Sequence, residues 1–267
     1  VERIGMIDDD TVVGRLAGHQ QVLCVVNTRG HAAALFELLR MKGAKDVFHL
    51  SANMCAAHRT DVLDQIRHRL DPAAPKPCIV VSTQLVEAGV DIDFPVVYRA
   101  MTGIDSIAQA AGRCNREGKL ATGQVYVFDT LVNPRGDLRL RRDLGCEVDA
   151  CQADLLSLEA IEQYFSLLYW TRKDEWDKHG IMDCFALSKN GLHAQFRQAA
   201  SEYRLIRDEQ QSVIVPYGFK GKQLIAELTA RRDPPGRDFS RRAQRFTVNV
   251  YDYQLRKLQE SGFISPF

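Results

Sequence analysis

No apolar run in this sequence approaches the roughly 20 residues needed to cross a bilayer. Its amino-terminal stretch "VERIGMIDDD" has no apolar core of the kind a secretory signal carries. Both absences point away from a membrane partner. Neither sign of charge prevails: 35 Lys and Arg stand against 34 Asp and Glu. The chain therefore has no global field for nucleic acid, and any anion binding has to come from local clusters. A disulfide framework is excluded as well. The seven cysteines, at positions 24, 55, 78, 114, 146, 151 and 184, are odd in number and scattered, several of them inside apolar runs such as "VLCVV" and "CIVVS". That usage fits a reducing cytosol, and the expected location is cytoplasmic.

Two glycine signatures are missing too. Without a Gly-x-Gly-x-x-Gly turn, a dinucleotide oxidoreductase is disfavoured. A phosphate-binding loop needs Gly-Lys followed by Ser or Thr, but Gly118-Lys119 and Gly221-Lys222 are followed by Leu120 and Gln223. Asp-Glu occurs at 174–175 and 208–209, neither behind a fully apolar strand, so no metal-holding acidic motif of that type is visible. No internal repeat or low-complexity tract appears.

What is present is enough apolar material, 45% over 267 residues, for one large domain or a compact domain with a smaller appendage. The chain starts at Val1 and not at Met, which suggests a piece of something longer. Through the first half, short β-branched runs alternate with amphipathic helical runs. "VLCVVN" (22–27), "VFHLS" (47–51), "CIVVST" (78–83), "VVYRA" (96–100) and "VYVFD" (125–129) read as strands. "HAAALFELLRMK", ended by Gly43, "AHRTDVLDQIRHRLD", stopped by "PAAPKP", and the stretch around 106–118 read as helices. Such alternation implies a parallel sheet covered on both faces. In sheets of that kind ligands gather at the carboxyl ends of the strands, which directs attention to the loops that begin at Thr28, Ser51 and Thr83.

"NPRGDLRLRRDLG" (133–145), polar and rich in Gly and Arg, reads as a linker or a domain boundary near residue 140. Beyond it the alternation stops. "SLEAIEQYFSLLYWTRKDEW" (157–176) is a helix with Ser157 as its cap, followed by a shorter helix in "LHAQFRQAASEYRLI". A strand ("SVIVPYG"), a helix ("KQLIAELTARR"), a "PPG" break, a strand ("RFTVNVY") and a short helix ended by Gly262 complete an α+β region. The expected division is 1–140, a helical linker region 141–210, and an accessory domain 211–267.

The chemistry concentrates in "SIAQAAGRCNREG" (106–118), where Arg113 and Arg116 lie three positions apart behind a glycine. Planar guanidiniums at i and i+3 share one face and suit a polyphosphate, although an isolated Arg-x-x-Arg is usually a solvated pair. The preceding segment "VSTQLVEAGVDIDF" (81–94) decides between the two. It leaves a buried strand into Ser82, Thr83 and Gln84, then turns through Gly89 to Asp91 and Asp93. Two complementary polar loops on adjacent strands make a site.

These segments resemble motifs V and VI of the superfamily two helicases, and the domain resembles the second of their two RecA-like motor domains. "VVNTRGHAAALFELL" is similar to motif IV and "HLSANMCAAHR" to segment IVa. "STQLVEAGVDIDF" with "DSIAQAAGRCNREG" is similar to the CRISPR-associated helicase-nucleases of type I interference. "EAIEQYFSLLYW", and the stretch from "VIVPYG" to "RRAQRFTVNV", resemble the linker and carboxyl-terminal domain of that family. The fold so implied is a RecA-like parallel sheet covered by helices, then a linker helix and a smaller α+β domain.

The resemblance also implies roles. Arg116 would be the arginine finger, reaching the γ-phosphate across an interdomain cleft, and Arg113 its partner on the same phosphates. Gln109 would sense the nucleotide, Asp91 would meet the ribose or the coupling network, and the Gly89 turn would belong to the same nucleotide site. Thr28, Arg29, Ser51, Arg59, Thr83 and Gln84 would grip the phosphates of single-stranded DNA. Ala110 stands where many members carry a further arginine, and the role of that residue does not transfer. ATP and Mg would be bound mainly by another RecA-like domain. A nuclease metal would sit on a nuclease domain, whose His-Asp doublet is absent here. Single-stranded DNA, those two domains and a guide RNA surveillance complex would be the partners, and the chain alone would be inactive. Two alternatives stay open: an RNA or repair helicase with the same motifs, and a non-catalytic docking module.

Other features carry less. The acids and histidines of "HRTDVLDQIRHR" (58–69) read as a solvated face and not as metal ligands, and the "CEVDAC" cysteines as plain thiols. Tyr164, Phe165, Tyr169 and Trp170 fit core packing better than base stacking. "RRDPPGRDFSRRAQR" (231–245), with six arginines and two aspartates, is either a soluble loop with a flexible centre or a phosphate or partner contact.

Overall fold

The sheet grows from strands whose residues are apolar on both sides, as burial under helices on each face requires. In chain order the first elements are β1 (Glu2–Met6), α1 (Asp9–Ala17), β2 (Gln21–Val25), α2 (Arg29–Met41), β3 (Val47–Leu50), α3 (Ala56–Leu70), β4 (Cys78–Ser82), β5 (Val96–Ala100), α4 (Ile104–Ala111) and β6 (Gln124–Asp129). The six strands are parallel in the order β1-β6-β5-β2-β4-β3. This is a computed structural model, and it describes residues 1–188, 191–203, 210–231, 233 and 235–264.

Alternation along the central strands divides two cores. Val22 and Cys24 of β2 face one cluster with Leu35 and Leu39 of α2, while Leu23 and Val25 face the other with Ile66 of α3 and Phe94. Two of the helices are started by side-chain caps. Asp8 caps α1 by accepting from the Thr11 amide at 2.8 Å, and Thr28 caps α2 by accepting from the His31 amide at 3.2 Å. Gly43, at φ +84°, lets the chain leave α2 in the left-handed region.

The second half contains α5 (Asp137–Cys151), α6 (Leu158–Thr171), β7 (Phe185–Ser188), β8 (Gly191–Ala194), α7 (Phe196–Glu202), β9 (Gln210–Ile214), α8 (Gly218–Ala230), α9 (Arg237–Ala243), β10 (Thr247–Tyr251) and α10 (Asp252–Glu260). β7 and β8 form an antiparallel hairpin, and β9 pairs with β10. The chain divides into two compact units, Val1–Tyr164 with Val213–Val248, and Phe165–Ser212 with Asn249–Phe267.

Several expectations are corrected. The stretch 133–145 is not a linker throughout, because α5 begins inside it and buries Leu144, Gly145 and Val148. Its arginines are used locally. Arg142 makes a bidentate contact with Asp129 at 2.8 and 2.8 Å, and Arg141 bonds Asp137 at 2.8 Å and Asp105 at 3.0 Å. The edge strand β1 and helix α1 were not anticipated, nor was the β7–β8 hairpin. On α6 the aromatic residues divide: Tyr164 is fully buried, while Tyr169 and Trp170 are 52% and 70% exposed, so core packing accounts for only part of that face.

Candidate functional site

The polar loops at the carboxyl ends of β2, β3 and β4 lie side by side because those strands are neighbours in the sheet. After β4, the Ser82 hydroxyl donates to the Leu50 carbonyl at 3.1 Å and the Thr83 amide to the same oxygen at 3.3 Å, tying this loop to the end of β3. Ser51 follows directly and is fully buried. Its hydroxyl, and the side-chain nitrogen of Gln84, have no hydrogen-bond partner among the described residues, which at a buried polar atom calls for an explanation. Arg29, at the start of α2, donates to the Asn53 side chain at 2.6 Å, joining the loops after β2 and β3. Thr28, Arg29, Ser51, Thr83 and Gln84 are therefore brought into one row. Arg59 lies further along, in α3, half-buried.

The segments 84–94 and 109–117 close against each other. Phe94 and Cys114 form an isolated parallel bridge, with the Phe94 amide on the Arg113 carbonyl at 2.9 Å and the Asn115 amide on the Phe94 carbonyl at 3.0 Å. The Asp93 carboxylate accepts from the amides of Arg116 at 2.7 Å and Glu117 at 3.2 Å. Asn115 adopts φ +49° and Gly89 φ +71°, the left-handed geometries of tight turns.

The two arginines are used differently. Arg113 donates through Nε to the Val86 carbonyl at 2.9 Å and through Nη2 to the Glu87 carbonyl at 2.7 Å, bracing the turn that follows β4. Burial pulls its pKa below the ordinary arginine value, and the nearby Arg116 charge pulls it the same way. Arg116 is 44% exposed and paired at 2.6 Å with Asp91, itself 81% exposed. An ion pair so open to water holds weakly and can exchange for a stronger anion. Gln109, on α4, is exposed.

Beneath these loops lies a network that the sequence reading missed. Arg99 of β5 is fully buried, with its Nε 3.0 Å from the Glu87 carboxylate. Its Nη1 donates to the Asn27 side chain at 2.8 Å and its Nη2 to the Ser106 hydroxyl at 2.9 Å, and Ser106 in turn donates to Glu87 at 2.7 Å. Burial pushes the Glu87 carboxyl above the usual carboxylate range, with Arg99 pulling it back. A charged residue inside "VVYRA", otherwise a buried strand, was the available signal, since such a charge needs a partner.

Residues 18–119 match the family model for the carboxyl-terminal region of the CRISPR-associated nuclease/helicase Cas3. Over that stretch the chain is similar to a Cas3 carboxyl-terminal region. Over 60 residues, 22% of this chain and 6% of the relative, it is 48% identical to the CRISPR-associated nuclease/helicase Cas3 of Haloferax volcanii. Over 131 residues, 48% of this chain and 18% of the relative, it is 28% identical to the human ATP-dependent RNA helicase DDX51. In fold it resembles T. fusca Cas3 crystallised with ATP, at TM-score 0.63 and 14% identity, over 94% of this chain and 36% of that one. A CRISPR RNA-guided surveillance complex in a pre-nicking state contains a chain with TM-score 0.59 at 16% identity, covering 94% of this chain and 37% of that one. The chain thus spans about a third of the length of these solved chains.

Within the run 231–245, Arg237–Ala243 form α9, while Arg232 and Pro234, in the centre expected to be flexible, lie outside the described residues. Arg231 and Arg242 both bond Glu227, at 2.6 and 2.9 Å, and their guanidiniums lie 5.0 and 5.6 Å from the centre of the Phe239 ring. His58 stacks on Tyr217 with ring centres 4.4 Å apart, and the Tyr217 hydroxyl donates to Asp61 at 2.9 Å, which gives these residues a packing role. A cavity of about 330 Å³ lined by His19, Lys42 and Asp46 lies at the amino ends of the strands, away from Thr28, Ser51 and Thr83.

Proposed function

We propose that this chain is the second motor half of an ATP-dependent helicase that moves along single-stranded DNA and feeds a nuclease in type I CRISPR interference. The observation that carries this reading is the closure of the Thr83–Phe94 loop onto the Gly112–Glu117 turn. It leaves Arg116 as an exposed guanidinium on a rigid base. ATP, with Mg, would supply a phosphoanhydride whose transferring phosphoryl group gathers negative charge. The residues present fit a triphosphate from one side only. Arg116 can offer a planar fork, Gln109 and the Gly89–Asp91 turn flank it, and a loop to cradle the phosphates must come from another domain.

In this scheme Arg113 holds the turn and Arg116 delivers charge. Thr28, Arg29, Ser51, Arg59, Thr83 and Gln84 meet the backbone of the strand, since hydroxyls, amides and guanidiniums at strand ends contact phosphates and not base edges. An amino-terminal RecA-like domain, a nuclease domain carrying its own metal, and a guide RNA surveillance complex complete a cytoplasmic assembly. The similarity to an RNA helicase over 131 residues supports a second reading in which the strand is RNA. Stimulation of ATP turnover by single-stranded RNA and not by DNA would select it.

The test is Arg116→Ala in the complete motor, measured as single-strand-stimulated ATP hydrolysis together with thermal stability. Loss of a finger of this kind lowers kcat by about a thousandfold or more, roughly 4 kcal/mol. Arg116→Lys should fail nearly as badly, because an ammonium keeps the charge and loses the fork. Near-normal turnover, or turnover lost only in step with the melting temperature, would assign the arginine to the fold.

A further inference from the structure

Glu87 has two attachments that no other residue of the site combines. Its main-chain carbonyl receives Arg113, three residues before Arg116. Its side chain receives the Ser106 hydroxyl at the start of α4 and lies against Arg99, which also donates to the Asn27 side chain. Asn27 in turn donates to the Met101 carbonyl at 2.8 Å and directly precedes Thr28, the cap of α2. These contacts join the loop after β4, where Thr83 and Gln84 stand, to the arginine turn through Glu87. They join it to the Thr28 loop through Arg99 and Asn27. All the polar links of this path are buried or half-buried, so they are short and stiff and compete little with water.

We infer that Glu87, held by Ser106 and Arg99, is a positioning residue that couples strand binding at Thr28 and Thr83 to the placement of Arg116. The inference rests on the motor reading above. A buried ion pair is weak evidence for stability, because desolvation offsets most of the attraction; fixing one register between two loops is a use better matched to its place. Ser106 is the informative member. Its hydroxyl joins the carboxylate to α4, and its removal leaves the Glu87–Arg99 pair in place.

The experiment measures ATP turnover of the complete motor against single-strand concentration and against ATP concentration. For Ser106→Ala, which removes the bond to Glu87 and the bond from Arg99, the maximal strand-stimulated rate is expected to fall about tenfold or more. Unstimulated turnover and the KM for ATP should hold within about twofold. Ser106→Thr, which keeps the hydroxyl, should restore the stimulated rate. Glu87→Gln should lose stimulation further and also melt at a lower temperature, so Ser106→Ala is the variant that separates coupling from folding. Stimulation unchanged in Ser106→Ala, lost only in step with its melting temperature, or not restored by Ser106→Thr would overturn the inference and leave the motor reading standing. A wild-type motor whose turnover ignores single strands would overturn both.

Discussion

Arg99 and Arg116 carry the same group into opposite surroundings, and the contrast separates fold from function at the scale of single residues. Arg99 has none of its surface in water and is met by a carboxylate, a hydroxyl and an amide oxygen. Leaving such a charge without its partner costs about 3–5 kcal/mol, so its place is fixed. Arg116 has one exposed partner and little to hold it. Between Arg113 and Arg116 lies Cys114, whose thiol contacts the carbonyls of Pro95 and Gln124 at 3.4 Å. Burial pushes that thiol up to about 11, and pushes Cys24 and Cys78 up to about 12. The thiolate is the reactive form, so a raised pKa suppresses reaction below it. At about pH 8, an aromatic disulfide reagent should modify the exposed Cys151 first. Cys24, Cys78 and Cys114 should react only after unfolding, and Cys151→Ser should abolish the fast phase. Rapid labelling of Cys114 in the folded protein would show that the arginine turn is open in solution.

At the scale of elements, α5 shows how a helix can hide in a sequence that looks like a linker. Its polar residues are partnered by acids on neighbouring elements, and its apolar contribution is only Leu144, Val148 and a glycine. Gly145 is required by close approach: a Cβ there would lie 2.0 Å from the Thr102 carbonyl oxygen, just before α4. Gly145→Ala should force α5 away from the sheet at a cost of about 1–3 kcal/mol. That lowers the melting temperature by roughly 3–10 °C for a chain of this size. A melting temperature within about one degree of wild type in a calorimetric scan would mean that α5 does not dock as described.

The strands β2, β4 and β5 were legible because burial on both faces leaves uninterrupted apolar runs. β1 was not, since an edge strand with one partner and mostly exposed residues carries no such run. The loops of the site were legible from Ser82 to Asp93 and from Gly112 to Arg116, because polar residues end apolar strands there. The Glu87–Ser106–Arg99 network was not, because it joins the segment after β4 to β5 and α4, which become neighbours only when β4 and β5 both pair with β2.

At the scale of the whole molecule, the proposed motor reading asks for phosphate chemistry offered from one side only. On that reading Arg116 would meet a triphosphate, and the 267 residues contain no Gly-Lys-Ser or Gly-Lys-Thr loop to hold one. Among the described residues, no three His, Cys, Asp or Glu side chains gather in a group able to hold a metal ion. Charge delivered to a transition state accelerates nothing unless the reacting group is fixed beside it. The 267-residue chain by itself should therefore hydrolyse ATP no faster than buffer, with or without single-stranded DNA, and should leave that DNA uncut. Mixing it with a separate domain that carries the phosphate-binding loop should produce strand-stimulated turnover, and Arg116→Ala should remove it. The measurement is phosphate release at fixed salt, because contacts to a nucleic-acid backbone weaken steeply as salt rises. Turnover by the chain alone that vanishes in Arg116→Ala would mean that it holds nucleotide without help, and the division of labour proposed for the two motor halves would be wrong.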